Sequence, residues 1–162
     1  MRRGTSRVEV VDRDNVPLCL MDFRDVQNQG LLHRKVALAL RDRAGRLLLR
    51  QRDEIGAGWS FSSVGPVVQD TSREESAADL VFRDWGLDGS RLFFLGEFPP
   101  EPSNGNAFTY VYGVRAGAPR EFDAPDVLLL TWDALVPMME QASDLFTPFW
   151  LKVARSGCLG GF

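Results

Sequence analysis

The 162-residue chain is short of several residue types, and each shortage closes off a class of function. It has one histidine, His33, so a zinc site built on several histidines is excluded. A Ser-His-Asp triad would have to use His33, yet no Gly-x-Ser-x-Gly elbow occurs in the chain. The two cysteines, Cys19 and Cys158, are far apart, fit no metal spacing and read as reduced thiols, not a secreted disulfide framework. Lysine is nearly absent, with Lys35 and Lys152 set against 17 arginines. Nor is there a basic excess: 22 acids against 19 bases give a net charge of -3, which argues against nucleic acid as a partner. No run approaches the roughly 18 apolar residues that a membrane helix requires. The start Met1-Arg2-Arg3-Gly4-Thr5 carries a basic pair with no apolar run behind it, so no export signal is expected and the chain is placed in the cytoplasm.

What remains is an average globular composition, 44% apolar and 25% charged. The length suits one domain over residues 1–162, long enough to bury about 70% of its unfolded surface without a staple. Arg7–Val11 and Val16–Met21 read as a hairpin about Asp12-Arg13-Asp14-Asn15, and Arg34–Leu40 with Leu47–Gln51 as another about Asp42-Arg43-Ala44-Gly45. Asp22 caps a brief helical turn through Val26, closed by Asn28-Gln29-Gly30. The loop Asp53–Gly58 carries two glycines, and Trp59–Phe61 and Val64–Val68 read as strand pieces. Ser72 to Trp85 has the strongest helix signal, with Thr71 or Ser72 as cap, Glu74 and Glu75 at the positive dipole end, and Gly86 as terminator. Leu92–Phe98, Phe108–Val114 and Asp126–Thr131 read as further strands, and Trp132–Gln141 and Thr147–Ala154 as helices. Pro137 lies inside the first of these and Pro148 at the start of the second. This order predicts an α+β fold, a mixed sheet covered on both faces.

One segment carries the functional signal. From Gly65 to Leu87 the chain reads as a glycine, a loop, a capped helix with Glu74-Glu75-Ser76-Ala77-Ala78, and a closing Trp85-Gly86-Leu87. This resembles the box of the Nudix (MutT-like) hydrolases: Gly, five residues, Glu, seven residues, Arg-Glu, apolar, any, Glu-Glu, any, Gly, apolar. Gly65 and Gly86 keep the family distance, and Val81 and Leu87 fill its apolar positions. Gly30-Leu31-Leu32-His33-Arg34, the strand Gly45–Arg52 and Trp59 are similar to the branch near isopentenyl-diphosphate isomerase. The resemblance covers roughly residues 7 to 155 and implies an α/β/α sandwich with a mixed central β-sheet.

The family's chemistry is implied less well than its fold. In the family, helix glutamates at i, i+3 and i+4 share one face and hold Mg²⁺ or Mn²⁺ on a diphosphate. Here those positions are Leu80, Arg83 and Asp84, the loop glutamate is Thr71, and the preceding arginine is Asp79. The box is therefore degenerate, and only Asp84 remains acidic on that face. A register one residue earlier would enlist Asp70 and Asp79, but it loses both glycines. The isomerase Cys-Gly-His pattern reads Val64-Gly65-Pro66 here, without the thiol or the second histidine.

The expectation is a Nudix-fold protein that has lost Mg-dependent hydrolysis and binds a nucleotide-like or phosphorylated ligand. One alternative is a divergent hydrolase of nucleoside diphosphates linked to another moiety, needing Mg or Mn and acids such as Asp70, Glu74, Asp84, Glu97 or Glu101. The other is an interaction or homodimer module using the apolar segment Phe146–Val153. Ligand-binding candidates are Arg50 and Arg52, alternating on one strand face, with Trp59 and Arg83; metal candidates are Asp84, Asp70 and Glu74. Each has a plainer reading: the arginines as a solvated strand face, Trp59 as core, and His33 as a hydrogen-bonded structural histidine. Arg83 would then be the partner of Asp79 four residues before it. Ala77, Ala78, Leu80, Val81, Phe82 and Trp85 read as a packed helix face, and Phe108, Tyr110 and Tyr112 as core residues of one strand face.

Overall fold

The computed structural model describes residues 6–52, 57–88, 91–116, 125–160 and 162. Most of the Asp53–Gly58 loop and the basic pair Arg2-Arg3 lie outside the described residues. Strands β1 (Arg7–Val11) and β2 (Pro17–Asp22) form a hairpin whose turn is closed by Asp12, its Oδ1 accepting from the amides of Asp14 and Val16. Asp22 caps α1 (Phe23–Gln29) by accepting from the Arg24 amide, and Gly30 ends it in the left-handed conformation. That helix is one turn longer than the sequence suggested.

The main sheet has seven strands: β3 (His33–Arg41), β4 (Leu47–Arg52), β5 (Gly58–Ser60), β6 (Ser63–Pro66), β7 (Leu92–Phe98), β8 (Ala107–Arg115) and β9 (Val127–Leu130). Its path runs β5-β4-β3-β8-β7, with β6 paired to β3 and β9 to β4. Among the described residues only the β3–β8 ladder is parallel, so the sheet is mixed as expected. The β3–β4 turn is built on Asp42, whose Oδ1 accepts from the amides of Ala44 and Arg46.

Strands buried on both faces alternate their apolar residues between two cores. Val36, Leu38, Leu40, Leu48, Tyr110 and Tyr112 face α2 (Arg73–Trp85). Ala37, Ala39, Leu47, Leu49 and Val111 face α3 (Trp132–Gln141) and α4 (Pro148–Arg155). Helix α3 runs through Pro137, which sits on its exposed side, where water can serve the carbonyl left without an amide. Helix α4 puts Phe149, Trp150 and Val153 into the second core together with Phe146. The segment read from sequence as a docking face is therefore interior: its apolar residues are covered by the chain's own sheet. Phe82 departs in the opposite sense. It is 70% exposed, because only Ala77, Leu80 and Val81 of the expected apolar face point squarely at the sheet.

A close backbone approach fixes the β5 edge. Gly58 has φ 152°, and a Cβ there would stand 2.7 Å from the carbonyl oxygen of Leu145 and 3.0 Å from the carbonyl carbon of Phe146. Thr147 donates its amide to the Trp59 carbonyl next to it, so neither backbone can yield alone. Gly58→Ala is expected to lower unfolding stability by about 2 kcal/mol, read as a lower urea midpoint with an unchanged slope.

Candidate functional site

Helix α2 is set by its ends. Ser72 accepts from the Glu75 amide while the Glu75 carboxylate accepts from the Ser72 amide, a complete capping box, and Gly86 closes the helix in the left-handed conformation. This fixes which residues meet β6. Leu80 is buried and lies on Gly65, where an added Cβ would come within 3.2 Å of its Cδ1. One turn later the face becomes polar. Asp84 accepts from the Ser63 hydroxyl at 2.7 Å and from Arg83 Nε at 3.0 Å, and Ser63 in turn accepts from Trp85 Nε1 at 2.8 Å. Burial pushes the Asp84 carboxyl up, but the Ser63 hydroxyl and the Arg83 guanidinium outweigh it and hold the group below the ordinary aspartate value. Arg83 itself is 68% exposed and bonds to its neighbour Asp84, not to Asp79.

The remaining acids are dispersed. Glu74 accepts from the Tyr112 hydroxyl at 3.0 Å and from Arg73 Nε at 3.1 Å, while Arg73 stacks on the rings of Tyr110 and Phe94. Burial and the Glu74 carboxylate push the Tyr112 phenol upward. Asp70, at φ 62°, lines a small hollow with Glu9, Arg34 and Thr71. Glu101 is ion-paired with Lys152, and Glu97 is exposed on β7.

A cleft of about 690 Å³ lies between α1, the start of β3, β6 and the end of α2. Lys35 and Arg83 bring positive charge to its walls, Phe23 and Pro66 apolar surface, and Gly65 and Gly105 bare backbone. Among the described residues no carboxylate lines it. An adjoining hollow of about 120 Å³ shares Gly65, Pro66 and Arg83 and brings one acid, Asp79, to that rim. His33 also lines the cleft, yet it is 3% exposed, with Nδ1 donating to the Leu31 carbonyl at 2.9 Å and its ring edge-on to Phe23. Burial lowers its pKa, so it is neutral at pH 7.

No family model and no curated protein matches the sequence. Solved structures do match in shape. The crystal structure of DR0079 from Deinococcus radiodurans superposes with a TM-score of 0.71 at 19% identity, covering 93% of this chain and 97% of that one. The solution structure of DR0079, called a hypothetical Nudix protein, gives 0.59 at 18% identity over 97% and 96% of the two chains. MutT from Methanosarcina mazei gives 0.55 at 17% identity over 78% and 95%. The chain has the Nudix fold.

The residues that the sequence resemblance sets at the box positions are poor ligands for the metal of Nudix hydrolases. Leu80, in the place of the first helix glutamate, is sealed against Gly65. Thr71, in the place of the loop glutamate, donates its hydroxyl to the Val68 carbonyl and accepts from the Ser76 hydroxyl. Arg83 adds a cation, and among the described residues no three His, Cys, Asp or Glu side chains converge to hold an ion. The alternative register fares no better, since Asp70 and Asp79 line different hollows.

Other residues singled out from sequence separate. Arg50 pairs with Asp126 at 3.2 Å and lies over the Trp85 ring, whereas Arg52 reaches the Phe61 carbonyl beside α4. The two share a strand but no cleft. Trp59 packs against the α3–α4 core. Lys35 was missed as a site residue. Its signal is there, since it is one of two lysines and stands on the alternation His33, Lys35, Ala37, whose next member is core.

Two substitutions probe this arrangement. Ser63→Ala strips Asp84 of a donor and Trp85 of an acceptor, and is expected to cost about 2 kcal/mol at pH 7. Because the Asp84 pKa is lowered, its share of that stability is present above the ordinary carboxylate value and lost as pH falls through the folded value. The gap between wild type and variant, followed by urea unfolding, therefore narrows below about pH 4. Leu80→Glu restores the family residue and is expected to cost about 3 kcal/mol at pH 7. Burial raises the pKa of the new carboxyl, so this loss shrinks as pH falls toward 5.

Proposed function

We propose that this chain uses the Nudix fold to bind a phosphorylated, nucleotide-like small molecule in the 690 Å³ cleft, without the metal-dependent diphosphate hydrolysis of the family. The observation that carries the reading is the exchange of charge at one place: a buried leucine and an exposed arginine stand where helix carboxylates would hold a cation. A metal bridges acidic side chains to phosphate oxygens; a guanidinium meets those oxygens directly, through a planar fork of donors. Asp84 holds Arg83 by its Nε at 3.0 Å, which leaves the two terminal nitrogens for an oxyanion. Asp84 is thus a positioning residue. Lys35 supplies a second charge across the cleft, and Phe23 and Pro66 offer apolar surface to the rest of the ligand. Neutral His33, with Nδ1 committed to Leu31, presents Nε2 as an acceptor.

Calorimetric titration of the full chain with ADP and with inorganic diphosphate, in the presence of EDTA, tests this reading. Binding is expected without divalent metal, weakening as salt rises, and falling about tenfold in Arg83→Gln and in Lys35→Gln. No phosphate release is expected with Mg²⁺ or Mn²⁺. Binding that requires a divalent cation and is abolished by Asp84→Ala would overturn it.

A further inference from the structure

On the α4 side of Lys35 the sheet opens into a second recess, of about 50 Å³. Lys35 and Val64 belong to the walls of both cavities. The short 3₁₀ turn Pro102–Asn104 likewise gives Ser103 to the recess and Asn104 to the cleft. The two cavities therefore adjoin, with Lys35 at the joint.

The recess is built from two cations, Lys35 and Arg52, and three hydroxyl residues, Ser60, Ser103 and Thr147, over an apolar floor that includes Phe149. No carboxylate lines it among the described residues. Glu101 comes near through Ser103, whose hydroxyl it accepts, but its charge is offset by the ion pair with Lys152. Thr147 donates its hydroxyl to Ser60 Oγ at 3.0 Å, which leaves the Ser60 proton to give elsewhere. Lys35 Nζ lies 5.6 Å from the centre of the Phe149 ring. Two cations and one hydroxyl donor, Ser60, around a small, partly enclosed volume select an anion over a cation or an apolar group, and the apolar floor strengthens each charge by lowering the local dielectric. The volume is of the order that a few waters or one tetrahedral oxyanion fill.

We infer that this recess seats a second phosphoryl group, so that the ligand of the cleft is a small molecule phosphorylated at two positions. One group meets Arg83 at the end of α2; the other sits among Lys35, Arg52, Ser60, Ser103 and Thr147. The ligand class rests on the proposed reading of the cleft, whereas the oxyanion site in the recess stands on its own residues.

Titrating the full chain, labelled with ¹⁵N, with inorganic phosphate at millimolar concentration separates the two. Two sets of amide shifts are expected, one around Ser60, Ser103 and Thr147 and one around Gly65 and Arg83, with independent midpoints. Arg52→Gln should remove the first set and leave the second, and Arg83→Gln should do the reverse. Ser60→Ala, a smaller change than Arg52→Gln, should weaken the first set alone. If the cleft amides respond and those of the recess do not, the recess holds water only and the two-phosphate ligand is overturned. If the recess responds and the cleft does not, the oxyanion site stands, and both the proposed function and the two-phosphate ligand fall. Silence at both sites overturns both proposals.

Discussion

Leu80 against Gly65 is the contact on which the rest of the site depends. It sets the distance between α2 and β6, since a glycine on the strand lets a branched side chain from the helix lie directly on the backbone. With that contact made, the next turn of the helix has no freedom of position. Asp84 falls opposite the Ser63 hydroxyl, the Trp85 indole closes over the same oxygen, and Arg83 is turned toward the cleft. A glutamate at position 80 would need a cation or water in that place, and the helix would sit elsewhere. The spacing of α2 from β6 thus rests on one apolar contact, the Leu80 side chain against the Gly65 backbone.

The electrostatic consequence extends beyond the helix. On the helix and beyond it, carboxylates are engaged by neighbours: Asp84 by Ser63 and Arg83, Glu74 by Tyr112 and Arg73, and Glu101 by Lys152. These acids hold the chain's own elements together, and positive charge is left on the cleft walls. Net charge, which is negative, gives no hint of this local sign.

Much of the architecture was legible in the sequence because it is written in short-range chemistry. Asp22 and Ser72 cap helices by bonding amides two or three residues ahead, and Asp42 closes its turn in the same way; Thr131, read as the end of a strand, caps α3 likewise. Gly86 was readable since the end of α2 demands a left-handed residue, whereas Gly65 makes room for the Leu80 side chain. What could not be read depends on distant partners. Arg50 and Arg52 share a strand face by alternation, yet one is claimed by Asp126 and the other reaches the Phe61 carbonyl beside α4, and no spacing rule anticipates either. Phe82 follows helical periodicity but falls just outside the arc that the sheet covers. Lys35 gains its meaning from Val64, Pro102–Asn104 and α4, three segments that only the folded chain brings beside it.

The parallel ladder of β3 and β8 bears on how the molecule comes to be made. It joins His33 to Ala107 and Arg41 to Arg115, partners 74 residues apart along the chain, while the pairings of β3 with β4 and of β7 with β8 are far more local. Closing so long a loop costs entropy before any of the ladder's nine residue pairs repays it. The β4–β9 ladder joins partners farther apart still, so the sheet is a topology dominated by distant contacts, of the kind that folds slowly compared with its helices. Until β8 is docked the flank of β3 is an open template, the interval in which the chain is most exposed to pairing with another copy of itself.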